Sequence, residues 1–103
     1  MSYDQKCQED ARLVILAQLA RERDARLNSR NLAIAVDQVV RNRPREWLVA
    51  QLRWLDSMDA INLEEGDLPG LGPVHFATLT RTGRDHVDRR QFIPGVTLPA
   101  DVE

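Results

Sequence analysis

The sequence predicts a mainly α domain with a small β-hairpin, of the winged helix-turn-helix class. Three helices would precede a two-stranded wing and a short C-terminal helix. Three observations carry this. Apolar residues recur at helical spacing in three successive segments within residues 4–58. Two short alternating segments, 60–64 and 74–79, then flank a stretch containing three Gly and two Pro. A last segment, 80–90, opens with Thr80 and is rich in charge. At 103 residues the chain fits one domain, read as residues 4–90, with an extended Pro-containing tail at 91–103.

The first helix is expected over residues 4–22. Leu13, Leu16, Ala17 and Ala20 form its stripe, with Val14 beside them. Glu9 and Asp10 sit early and Arg21 and Arg23 late, as the helix dipole favours. Residues 26–28 read as a connection. Ser29 is the expected N-cap of a second helix running to Val40, with Asn28 as its competitor. Leu32, Val36 and Val39 would face inward, flanked by Ala33 and Val40. Residues 41–43 form the turn, and Pro44 is expected at the first position of the third helix, where its missing N–H costs nothing. In that helix Leu48, Leu52 and Leu55 have core spacing, and Trp47, Gln51, Trp54 and Met58 form a neighbouring stripe. In the strands, Ile61 and Leu63 share one face. Val74 and Phe76 share a face of the return strand, and Ala77 and Leu79 the other. In the tail, Phe92, Ile93, Val96 and Leu98 are the residues able to pin it to the body.

Composition narrows the function classes. A single cysteine, Cys7, excludes an internal disulfide or a multi-cysteine zinc site and fits a reducing cytoplasm. The two histidines, His75 and His86, fall on different elements, so a metal site is not expected. Residues 13–17 are the longest apolar run, too short for a bilayer, and the N-terminus lacks signal-peptide character. The expected location is the bacterial cytoplasm. No nucleophile elbow, phosphate-binding loop or paired carboxylates appear, so neither catalysis nor a cofactor is expected.

Charge is segregated although the net is only -2. Residues 25–53 hold six Arg against two acids, whereas residues 54–73 hold five acids and no base. Residues 74–90 return to four Arg against two Asp, and Arg84–Asp88 and Asp85–Arg89 have i, i+4 spacing. Thirteen of the fourteen basic residues are Arg, the side chain suited to bidentate contacts with phosphate, guanine or carboxylate. A compositional bias would give the same count.

If the leucines of the third helix face inward, Arg45, Glu46, Val49, Ala50 and Arg53 face out. Arg45 and Arg53 are then the candidate contacts to duplex DNA, with Arg43, Arg41 and Arg30 as phosphate clamps. Val49 and Ala50 are apolar where readers of sequence carry polar side chains. The wing carries Glu64, Glu65 and Asp67 and no base, which repels a polyanion. These two features favour another class: a protein-interaction adaptor using Trp47 and Trp54 as aromatic anchors. The bland reading of the two Trp is a core edge under the first helix or the tail. A homodimer is the default for a regulator that reads two half-sites.

The segments QLRWL (51–55) and ATLTRTGRDHV (77–87) resemble small winged-helix proteins of Mu-like bacteriophages and prophages. The likeness spans roughly residues 11–96. Such proteins are often labelled ArsR-like or helix-turn-helix regulators. The resemblance implies a winged-helix fold, a phage origin and DNA-binding regulation. Neighbouring lysis and packaging genes in that family also imply a possible partner among phage assembly proteins. The metal sensing that the ArsR label suggests finds no ligand cluster in this sequence.

Overall fold

The computed structural model describes residues 2–99. Among them are four helices, α1 (Tyr3–Arg21), α2 (Ser29–Asp37), α3 (Arg45–Ser57) and α4 (Arg81–Val87). Three strands, β1 (Arg26–Asn28), β2 (Ile61–Leu68) and β3 (Gly72–Leu79), form one antiparallel sheet in the order β1-β3-β2. The fold is therefore α+β. The connection expected at 26–28 is a strand, pairing Arg26, Leu27 and Asn28 with Thr78, Ala77 and Phe76. Three residues with one apolar side chain are too few to display alternation.

Ser2 caps α1, its Oγ accepting from the Gln5 amide at 3.0 Å. The buried stripe of α1 is Cys7, Ala11, Ile15, Leu16 and Leu19. Of the expected stripe Leu16 is buried, but Leu13, Ala17 and Ala20 are only half-buried, so the true stripe is rotated and starts further toward the N-terminus, at Cys7. Asn28, not Ser29, caps α2, with Oδ1 accepting from the Asn31 amide at 3.0 Å. Ser29 instead enters the first turn, and its Oγ accepts the His75 amide at 3.1 Å, tying α2 to β3. The helix ends at Asp37, three residues early. Val40 then turns inward and is buried, while Val39 is exposed, the reverse of the expected order.

Asn42 takes a positive φ of 61° and donates its amide to Asp37 Oδ1 at 3.0 Å, closing the turn. Pro44 is extended, with ψ 162°, and is the cap residue; Arg45 is the first helical one. Leu48, Leu52 and Leu55 are buried as expected, and Gln51 with them. The helix closes on Asp59 at φ 63°, with the Asp59 amide bonded to the Asp56 carbonyl and the Ala60 amide to the Leu55 carbonyl. That is the paired closure of a Schellman end, built on Asp where Gly is usual.

The strands run longer than the sequence suggested, and the expected Gly/Pro loop shrinks to residues 69–71. Gly70 and Gly72 supply the positive φ for the turn. Pro73 is tolerated in β3 because β1 pairs only as far as Phe76. Beyond that point β2 and β3 form a two-stranded ribbon. Val74 is buried but stands outside the main core cluster, which takes Ala77 and Leu79 from this strand.

Thr80 caps α4, accepting from the Gly83 amide and donating to the Asp59 carbonyl. Gly83 is required here, since a Cβ would lie 2.3 Å from the Ala60 carbonyl oxygen. The helix stops at Val87, not Arg90, and Arg89 has a φ of 63°, so Asp85 and Arg89 no longer stand one helical turn apart. Among the described residues no ion pair joins Arg84 and Asp88, the other i, i+4 pair expected on this segment.

After α4 the chain folds back over the helices. Ile93 and Val96 are buried in the core cluster, whereas Phe92 and Leu98 are exposed. His86, fully buried, accepts the Ile93 amide at Nδ1, so its Nε2 carries the proton bonded to the Thr97 carbonyl, each at 3.0 Å. Thr97 donates its hydroxyl to Asp10 and its amide to the Glu9 carbonyl. The last four residues of the expected tail, 100–103, lie outside the described residues. Among the described residues no helix is long and apolar enough to cross a membrane.

Candidate nucleic-acid interface

All five arginines proposed from the sequence fall on α2, α3 or the turn between them. Arg30 lies in the first turn of α2, Arg41 and Arg43 on the turn, and Arg45 and Arg53 on α3. Arg30, Arg41, Arg45 and Arg53 are exposed; Arg43 is half-buried. Their engagements differ. Arg45 donates to the Pro73 carbonyl at 2.7 Å, which ties α3 to the base of the ribbon. Arg43 pairs with the exposed Asp4 at 3.3 Å and lies 4.9 Å over the Trp47 ring. Arg30, Arg41 and Arg53 make no hydrogen bond or ion pair among the described residues, so their guanidinium donors face water.

The outer face of α3 presents Glu46, Ala50, Arg53 and Ser57, with Val49 half-buried beside them. Asp56, also exposed, accepts the Leu63 amide at 3.3 Å. The cationic character of this region therefore comes from the turn and from the start of both helices more than from the middle of α3.

Between α2, the turn and the start of α3 lies an open groove of about 500 Å³. Ile34, Val40 and Leu48 contribute apolar floor; Arg30, Arg43 and Arg45 line the cationic side; Pro73 forms part of the wall. Asp37 is the acid in its lining, and one of its oxygens already holds the Asn42 amide. Ile34 is 63% exposed. An apolar residue off the core stripe, next to an arginine-rich turn, is the signal in the sequence that points to this groove.

The two tryptophans do not form one open stripe. Trp54 lies beneath the Arg12 guanidinium at 3.8 Å, with Gly95 against its ring. Arg12 donates to Gln51 Oε1 and to the Gly95 carbonyl, both at 2.9 Å. Burial lowers the Arg12 pKa, and the nearby Glu9 carboxylate partly opposes this. Trp47 is half-buried at the groove, and its Nε1 has no partner among the described residues.

The ribbon carries Glu64, Glu65 and Asp67, all exposed. Arg26 offsets part of this charge. It pairs with Glu64 at 3.0 Å, donates to Thr78 Oγ1 at 3.1 Å and lies 4.8 Å over Phe76. Gly66 lets that ring lie flat, since a Cβ there would meet Phe76 Cε2 at 2.7 Å. Glu65 stands 3.9 Å from His75 Nε2. Arg12 and Arg26 escaped the sequence reading because their partners are remote in the chain. Among the described residues no three His, Cys, Asp or Glu side chains gather as a metal site. No family model, curated protein or solved structure matches the chain.

Proposed function

We propose that this chain is a phage-derived winged helix-turn-helix protein that binds double-stranded DNA through α2, the following turn and α3, as a non-enzymatic transcriptional regulator in the bacterial cytoplasm. The element order α1-β1-α2-α3-β2-β3, with β3 central in the sheet, supports the fold assignment. The observation that carries the function is the gathering of Arg30, Arg41, Arg43, Arg45 and Arg53 on two consecutive helices and their turn. Three of them have no protein partner among the described residues. Arg45 and Arg53 would contact the groove and its phosphates, and the others would clamp the backbone.

The test is fluorescence anisotropy of a labelled genomic-fragment duplex at about 50 and about 200 mM salt, where phosphate-driven binding falls steeply. Arg45→Ala with Arg53→Ala is expected to abolish binding while leaving the fold intact. Binding unchanged in that double variant would sink the assignment.

A second reading has specific support in the acidic ribbon and the apolar Val49 and Ala50. It makes the domain a protein-interaction adaptor in phage assembly or packaging, with Trp47 at the contact. It predicts no duplex binding at physiological salt, and a stable complex with another phage protein. Retained duplex binding with no recoverable partner would end it.

A further inference from the structure

The acidic ribbon finds no role in DNA binding, and the α2–α3 groove is lined by Arg30, Arg43 and Arg45. They are complementary. We infer that the ribbon of one copy docks in the α2–α3 groove of a second copy, forming a two-fold dimer that covers the arginines of the candidate DNA face.

Three independent features carry this. The first is charge. From Trp54 to Thr80 the chain has no Lys or Arg, and Glu65 and Asp67 on the ribbon are exposed. Glu64 is already paired with Arg26. Arg30 has no protein partner among the described residues, and Arg43 and Arg45, each engaged through one nitrogen, keep further N–H donors for these carboxylates; guanidinium–carboxylate pairs give such a contact its register. The second is shape and polarity. Leu71, at the ribbon tip, is 54% exposed, and the groove floor is apolar at Ile34, Val40 and Leu48. A cleft of about 500 Å³ is within the range that proteins use to enclose apolar groups. The third is position. Pro73 belongs both to the ribbon and to the groove wall, and Arg45 holds its carbonyl. The ribbon thus springs from the rim of its own groove. In a two-fold dimer the contact is made twice and closes without forming a filament.

Association of this kind does not need the duplex reading. If that reading holds, dimer and duplex compete for Arg30, Arg43 and Arg45, and the acidic ribbon becomes the protein's own competitor for DNA.

Sedimentation velocity over a concentration series, without DNA, is the direct test. The wild-type chain is expected to pass from monomer to dimer, with association weakening as salt screens the pairs. Glu65→Lys with Asp67→Lys, and separately Arg30→Glu with Arg45→Glu, should each weaken self-association at least about tenfold while circular dichroism stays unchanged. An equimolar mixture of the two variants should restore the dimer, because both contacts in the mixed pair join opposite charges. A wild-type chain that stays monomeric, variants that still dimerise, or a mixture that fails to pair would each overturn the inference. Loss of duplex binding in the anisotropy experiment leaves it standing, so the two readings fail separately.

Discussion

Helix α3 carries a tryptophan near each end, and an arginine lies over each ring. At the C-terminal end Arg12 stands 3.8 Å above Trp54, with both hydrogen bonds of its guanidinium satisfied inside the protein and the tail packed over it at Gly95. At the N-terminal end Arg43 stands 4.9 Å from Trp47, paired only with the exposed Asp4, and the indole N–H has no partner among the described residues. Gln51 joins the two ends, accepting from Arg12 and donating to the Trp47 carbonyl. The same pair of side chains is tied to the fold by two guanidinium hydrogen bonds at one end and by a single ion pair at the other. The difference lies in the tail, which covers one ring and leaves the other beside the groove. Function is therefore to be sought at the start of α3, and stability at its end.

The largest effect is expected where the tail meets Trp54. Gly95 has a φ of 95°, and a Cβ on it would lie 2.7 Å from Trp54 Cζ2. Gly95→Val combines backbone strain with overpacking, and together these should cost about 2–4 kcal/mol of unfolding free energy. Urea denaturation followed by circular dichroism reads it. A loss below about 0.5 kcal/mol, the range of a neutral surface change, would mean that the tail is not structural cover.

Arg12 comes next. Arg12→Leu removes the guanidinium from Trp54 and leaves the buried Gln51 Oε1 without its donor, a change worth about 2 kcal/mol. Arg12→Lys should recover less than half of this, because one ammonium lacks the planar fork that reaches Gln51 and Gly95 together. Full rescue by lysine in the same denaturation assay would reduce the site to simple charge.

The leucine stripe of α3, the capping Thr80 and the order of the later elements were legible in the sequence because they rest on local periodicity and local hydrogen bonds. What was not legible depends on contacts remote in the chain. Residues 26–28 become a strand only because β3 offers them an edge. Ser29 is drawn from capping by the His75 amide, 46 positions away. The true stripe of α1 was hidden because Leu13 and Val14 are as apolar as Ile15, and only the packing of the tail and sheet selects among them. For the candidate site, the arginines could be named from charge clustering alone. Their engagement could not, since Asp4, Pro73 and the exposed Ile34 meet them only in the folded chain.

The smallest effect is the most informative about the open end. Asp4 is exposed and Arg43 half-buried, and a double-mutant cycle on this pair should give a coupling of about 0.2–1 kcal/mol that shrinks with salt. In a Trp54→Phe background, Arg43→Ala should nevertheless raise acrylamide quenching of Trp47, because the guanidinium no longer lies over that ring. The reciprocal background, with Trp54 as the sole tryptophan, should show no change on Arg43→Ala. If Arg43→Ala instead destabilised the protein as much as Arg12→Leu, both ends of α3 would be cement. The turn would then be explained by stability, and the arginines around the groove would lose their standing as a surface kept free for a partner.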